Sequence, residues 1–242
     1  SGMDLTGIDL RHANLQGTNF DYATLNYADL RHIDAYNATF RHANIKYAYL
    51  QDAEFNGYSS TLCGGWCDWG ADLSSASIQE SDLMDAVLHS TNMSNVVAWY
   101  ADLTNANVQF SNLTDARFSD AVLKNADLRS ANMIGMSFGY ADLADADLRY
   151  AEMGFAWFRD ANLAYANLDY ANLSNADFRH NDLTGATFRY ANLSNADLRW
   201  SDLTDADFIY ATTEDSNFYG CDWSNTLWTD GNLYNTCPAL FC

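Results

Sequence analysis

From Leu73 onward an apolar residue returns at nearly every fifth position. Leu73, Ile78, Leu83, Leu88 and Met93 open the series, and it runs through Phe118, Leu128, Phe138, Leu148, Phe158 and Phe178 to Phe218, Trp223, Trp228 and Leu233. Two residues before each sits a small one, mostly alanine: Ala71, Ala76, Ala86, Ala101, Ala126, Ala161, Ala196. The residue between the two is usually Asp or Asn, so the unit reads Ala-(Asp/Asn)-Leu-x-x. An earlier block repeats it around Leu5, Leu10, Leu15, Phe20, Leu25, Leu30, Phe40, Ile45, Leu50 and Phe55.

A period of five excludes the ordinary elements. On an α-helix each step of five turns the apolar position by about 140°, so no stripe forms. On a straight strand the same step moves it to the opposite face. The small and large apolar residues are nevertheless two apart, which is same-face strand spacing. A short extended piece followed by a corner satisfies both facts. Four corners close a square coil, and coils stack as parallel strands about 4.8 Å apart around a continuous core. Residues 20 apart then become vertical neighbours. Phe118, Phe138, Phe158, Phe178 and Phe218 should form one column, interrupted by Leu198, and Leu83 through Leu203 another.

The phase shifts by three between Phe55 and Leu73, across a Gly-, Ser- and Asn-rich stretch that reads as a loop at about 56–70. Some three residues are expected to bulge there, pinned by a Cys63–Cys67 bridge or projecting Trp66 and Trp69 as recognition anchors. The segment from about 221 to 242 reads as a cap for the open solenoid end, with Trp223 and Trp228 in place of leucine. The N-terminal coil starts in register with no evident cap, so a preceding segment or a partner is expected to cover it. Ser1-Gly2 resembles an expression scar, which leaves open whether a native leader was removed.

The unit Ala-(Asp/Asn)-Leu-x-x recurs in more than forty pentads and resembles the pentapeptide-repeat family. That resemblance implies an all-β fold, a right-handed quadrilateral parallel β-helix of about 11–12 coils in a single domain spanning 1–242, and no catalytic activity or cofactor.

Charge narrows the possible partners. The 242 residues carry 32 Asp plus Glu against 12 Lys plus Arg, a formal charge of −20. Direct nucleic-acid binding is disfavoured, because phosphate attraction needs basic residues. No apolar run reaches the length of a membrane helix. Catalytic motifs are missing: no phosphate loop, no His-Glu-x-x-His, no Gly-x-Ser-x-Gly, no Cys-x-x-Cys. His12 and His32, one coil apart with Asp52 on the next, read as surface histidines rather than a metal site. The five cysteines allow a second bridge, Cys221–Cys242. Stapling of this kind would place the protein in a periplasmic, secreted or luminal compartment, and free thiols would place it in the cytoplasm.

Reading positions 20 apart separates candidate binding faces. One is acidic: Asp82, Asp102, Asp142, Asp145, Asp182, Asp202 and Asp205, interrupted by Lys124. Another carries Arg149 and Arg189 beside Tyr150, Tyr170, Tyr190 and Tyr210. A third is nearly neutral and Asn-rich, and a fourth carries Arg159, Arg179 and Arg199. Asp and Asn also suit the corners for structural reasons, because their side chains bond nearby backbone. The sequence therefore points first to a non-catalytic scaffold for a protein partner. A second reading is a DNA mimic that binds a type II topoisomerase such as DNA gyrase, as the quinolone-resistance proteins of the resembled family do; the C-terminal helical segment typical of those proteins is not visible here. A third is glycan or cell-surface binding through the Tyr/Arg face.

Overall fold

The computed structural model describes residues 2–36, 38–50, 53–55 and 71–236. Its backbone is a stack of four-sided coils. Parallel bridges link residues 20 apart, as in the column Asp4, Thr24, Asn44, and again from Ser77 through Val97, Arg117 and Ser137 to Asn217. No helix occurs among the described residues.

One pentad shows why the unit has its composition. In Ala141-Asp142-Leu143-Ala144-Asp145, the Leu143 amide donates to Asn162 O of the next coil at 2.7 Å, and Asp142 donates to Ala121 O of the previous coil at 2.9 Å. The corner amide of Asp145 reaches Ala164 O at 3.0 Å, and Ala146 closes the corner on Leu143 O at 3.1 Å. The amide of Ala144 remains, and it donates to Asp142 Oδ1 at 3.2 Å. All five donors of the unit are satisfied, as a buried backbone requires. The Asp or Asn at the outer position is thus the acceptor for an amide that the stack cannot reach.

Each corner places its last residue at positive φ, the requirement of a type II turn. Gly135, Gly185 and Gly220 meet it without strain, but Tyr150, Tyr170, Asp145 and many others also adopt it, at φ of 62°, 62° and 60°. At Gly185 a glycine has a second reason: a Cβ would come within 2.6 Å of the Tyr165 ring of the coil before.

The core is the inward pair of every pentad. Phe138, Phe158 and Phe178 are fully buried. They stack with centroids 5.0 and 4.6 Å apart, and Phe118 joins tilted at 6.3 Å. A second pair, Phe188 and Phe208, stacks at 4.6 Å and meets Phe178 and Phe218 edge-on. Where Ser or Thr replaces the inner alanine, the hydroxyl finds a backbone carbonyl: Ser111 Oγ donates to Leu88 O and Ser201 Oγ to Phe178 O, both at 2.6 Å.

The break is larger than its phase implied. Thr39, Asn44, Tyr49 and Glu54 pair with Asp72, Ser77, Asp82 and Val87, an offset of 33 instead of 20. Thirteen residues are therefore added, not three. A phase shift defines an insertion only modulo five, and thirteen and three give the same shift. Ala71 N donates to Phe55 O at 2.9 Å, the bond that closes an ordinary corner. Phe55 and Ala71 therefore flank a single corner of the rod. Residues 56–70 lie outside the described residues, and with them Trp66, Trp69, Cys63 and Cys67.

The two ends differ. Near the C-terminus Trp223 and Trp228 point inward, 5.0 Å apart and both almost fully buried. There β1 (Thr226–Leu227) pairs antiparallel with β2 (Leu233–Tyr234). Leu227 still bridges Asp207 in parallel on its other side, so β2 takes the edge that a further coil would use. At the other end the inward residues Leu5, Ile8, Leu10 and Ala13 are only partly buried.

Replacing Phe158 with alanine is expected to destabilise the fold by about 3–5 kcal/mol, since it opens a cavity between two rings. Urea unfolding followed by circular dichroism measures this, and an unchanged midpoint would contradict the stacked core.

Candidate functional site: the outer faces

The acidic column continues across the break. Asp9, Asp29 and Tyr49 bridge successively into Asp82, Asp102, Val122, Asp142, Asn162, Asp182, Asp202 and Asp222. Its carboxylates already have structural work. Asp102, Asp182 and Asp202 each accept, through Oδ1, the amide two residues on, at 2.9, 3.0 and 2.9 Å. Asp142 is also paired with Lys124 at 3.0 Å. Asp145 and Asp205 stand at the adjoining corner at positive φ. At the N-terminal end the column is neutralised, because Arg11 and Arg31 fork onto Asp9 and Asp29. The Arg11 side chain holds Asp9 down to about 2.

The same fork recurs wherever an outer Asp is followed two residues later by Arg. Arg149 binds Asp147 through Nε at 2.9 Å and Nη2 at 2.6 Å, and Arg179 and Arg199 bind Asp177 and Asp197 likewise. Burial pushes Asp147 and Asp177 up, but the hydrogen bonds from Arg149 and Arg179 outweigh it and hold both below the usual carboxylate range. Arg189 pairs with Asp207 at 2.6 Å. The arginines of the Tyr/Arg face are therefore committed within the protein. Its tyrosines are not: Tyr150, Tyr170, Tyr190 and Tyr210 project about half-exposed or more from one corner. They stack with centroids 5.0, 4.9 and 5.0 Å apart. The 56–70 insertion springs from this same corner, because it follows the face of Glu54, which bridges Val87 and so leads into the column of Asp127 and Asp147. Tyrosine row and insertion share one edge of the rod.

One face breaks the outer Asp/Asn rule over successive coils. Ser77, Val97, Arg117, Ser137 and Trp157 form its outer column. Sequence reasoning passed over this stretch, although the missing Asp/Asn was its signal. Small residues Ser119 and Ser137 leave a shallow depression with Trp99, Tyr100, Asp120, Arg117 and Trp157 around it. A second hollow adjoins it, lined by Asn95, Asp115, Arg117 and Gly135.

Among the described residues no group of three or more His, Cys, Asp or Glu is arranged to hold a metal ion. His12 and His32 stack face to face at 4.7 Å, and Asp52 lies outside the described residues. Cys221 donates its thiol to Leu198 O at 3.0 Å, and burial pushes that thiol up to about 12. Cys242, the other half of the expected bridge, is outside the described residues. No helix among the described residues is long and apolar enough to cross a membrane.

A four-sided parallel coil built from five-residue units defines the class, and comparison agrees. The family model for pentapeptide repeats matches in 8 copies, over 1–34, 18–57, 70–96, 101–138, 126–163, 158–189 and 182–212. The chain belongs to the pentapeptide-repeat family, and its fold is the right-handed quadrilateral β-helix of that family's solved structures. It is similar to HetL, a pentapeptide-repeat protein involved in heterocyst differentiation regulation from the cyanobacterium Nostoc. The two share 25% identity over 96% of this chain and 92% of that one, with a TM-score of 0.57. It is also similar in fold to QnrB1, a plasmid-mediated fluoroquinolone resistance protein in trypsin-treated form, at 18% identity over 73% and 89% of the two chains and a TM-score of 0.57. No curated protein matches the sequence.

Two measurements check the roles given to these side chains. Asp182→Asn keeps the acceptor for the Thr184 amide and should leave stability nearly unchanged, whereas Asp182→Ala should cost about 1 kcal/mol. Equal melting temperatures for the two variants would refute the structural role. For Cys221, the raised pKa means that its neutral form is favoured by folding. That contribution is complete below the unfolded thiol's pKa and is lost as pH rises through about 12. At pH 8 after reduction, alkylation of Cys221 should be much slower in the folded than in the urea-unfolded protein; equal rates would show an accessible thiolate.

Proposed function

We propose that this protein is a non-catalytic interaction scaffold whose rigid edges and faces engage a protein partner. One observation carries the reading: a row of exposed tyrosines, ordered by mutual stacking, occupies the corner from which the insertion departs. Exposed aromatics held rigid in advance lose little entropy on binding and are typical interface anchors. Bulky side chains are unfavourable at the positive φ of these corners, where glycine or asparagine would fit with less strain. The outer faces are also occupied by internal hydrogen bonds and ion pairs, which suits a surface that presents shape more than reactive groups. HetL, with a name that refers to regulation, fits the same reading.

The test compares wild-type protein with a Tyr150→Ser/Tyr170→Ser/Tyr190→Ser variant as immobilised bait in extract of the source cells. A partner retained by the first and lost by the second, with unchanged circular dichroism, is the expected result. Identical retention profiles would remove the tyrosine edge from consideration.

A second reading, a DNA mimic acting on a type II topoisomerase, draws on Asp182, Asp202 and Asp222, which stand on successive coils of a face without arginine beyond Lys124. Asp142→Asn/Asp182→Asn/Asp202→Asn removes charge and retains the amide acceptors. On this reading, wild-type protein alters DNA gyrase supercoiling and the triple variant does so at least several-fold less well. Absence of any effect from wild-type protein would eliminate it.

A further inference from the structure

We propose that the saddle centred on Arg117 is a peptide-binding site that takes a carboxylate flanked by cationic residues. The proposal rests on the scaffold reading above but uses a different face from the tyrosine row.

Three observations converge. Arg117 is exposed, and its guanidinium has no ion-pair or hydrogen-bond partner among the described residues, in a protein whose other arginines all form ion pairs. Leaving a guanidinium open beside a groove is what a carboxylate site needs, since Arg offers a two-pronged donor to such a ligand. The second observation is in the backbone. Because Ser77, Val97, Arg117, Ser137 and Trp157 replace the usual Asp or Asn, the amides of Gln79, Trp99, Ser119, Gly139 and Arg159 find no acceptor among the described residues. Where the outer residue is Asp or Asn, the equivalent amide bonds an outer side chain, as Ala144 N does Asp142 Oδ1. Here a run of donors along the rod is left for a ligand. Third, the rim is aromatic: Trp99, Tyr100 and Trp157 are 40%, 61% and 55% exposed. The Trp157 indole is held by its bond to Asp177 Oδ2 at 2.8 Å, and Ser119 and Ser137 are bonded to each other at 3.2 Å in the floor.

Charge decides the occupant. Asp115 and Asp120 flank Arg117 on its own coil, and both line the hollows. The pattern across the face is negative, positive, negative. A polyanion would meet those two carboxylates and the field of a chain with net charge −20. A peptide with Asp or Glu over Arg117 and Lys or Arg to either side matches all three, and its cations also meet the faces of Trp99 and Tyr100.

A phage-displayed dodecapeptide library selected on the wild-type protein tests this. The expected outcome is enrichment of peptides with an acidic residue between basic ones. Synthetic copies should lose at least tenfold in affinity on Arg117→Glu and be unaffected by Tyr170→Ala. Arg117→Lys should retain part of the binding. Arg117 is exposed, so unchanged melting curves are expected to accompany these losses. Selected peptides that bind Arg117→Glu as well as wild type would overturn the proposal, as would failure to enrich any sequence. Peptides lost on Tyr170→Ala but kept on Arg117→Glu would overturn this site and leave the tyrosine edge standing. Binding of hyaluronan at the saddle in place of peptides would also overturn it.

Discussion

The fold depends on where one amide goes. Stacking satisfies four of the five N–H groups in each pentad, through the coil above, the coil below and the corner. The fifth points outward, and the outer Asp or Asn accepts it, as Asp102 does for Thr104 and Asp182 for Thr184. Each such bond is worth about 0.5–1.5 kcal/mol net, and repetition along the rod multiplies it. The same carboxylate or amide therefore recurs for reasons internal to the chain. Only after this requirement is met can the remaining atoms of a face be considered available to a partner.

That ordering changes how the charge is interpreted. A net charge of −20 suggests a uniformly anionic rod. In the structure much of the carboxylate population is half-consumed, with one oxygen on backbone and, in the Asp-x-Arg units, the rest gripped by a guanidinium. Free negative charge is concentrated on the column of Asp182, Asp202 and Asp222 and on corners such as Asp205. Repeated ion pairs at the surface add little stability individually. Their consequence is to fix which arginines remain out of play.

Much of this was legible in the sequence because period five has one geometric solution, and vertical neighbours follow from it directly. The Phe138–Phe158–Phe178 column and the inward tryptophans near the C-terminus were readable on that basis. Two features were not. The insertion length was hidden because phase reports it only modulo five. Arg117 was hidden because arginines at other outer faces looked equivalent. Arg149 and Arg117 both follow an Asp by two residues, but Asp147 stands at an outer position and grips its arginine, whereas Asp115 belongs to a corner. Pairing is decided by position within the pentad, and composition cannot report it.

The corner residues carry the argument a step further. At positive φ the backbone favours Gly, Asn and Asp, and this chain uses them at Gly135, Asn175 and Asp205. On the edge that passes through Ser90, Phe110 and Ser130 it uses tyrosine from Tyr150 to Tyr210, and the rings offset the local strain by stacking coil upon coil. At two other corners the ring lies over a glycine, Tyr165 over Gly185 and Trp200 over Gly220. Stacked rows and ring–glycine pairs each hold their rings in place. Much of the remaining polar surface is taken up by internal bonds, as in the Asp-x-Arg forks. At the Arg117 column the outer Asp or Asn is missing over successive coils, and at the tyrosine edge bulky rings stand where glycine or asparagine would fit with less strain.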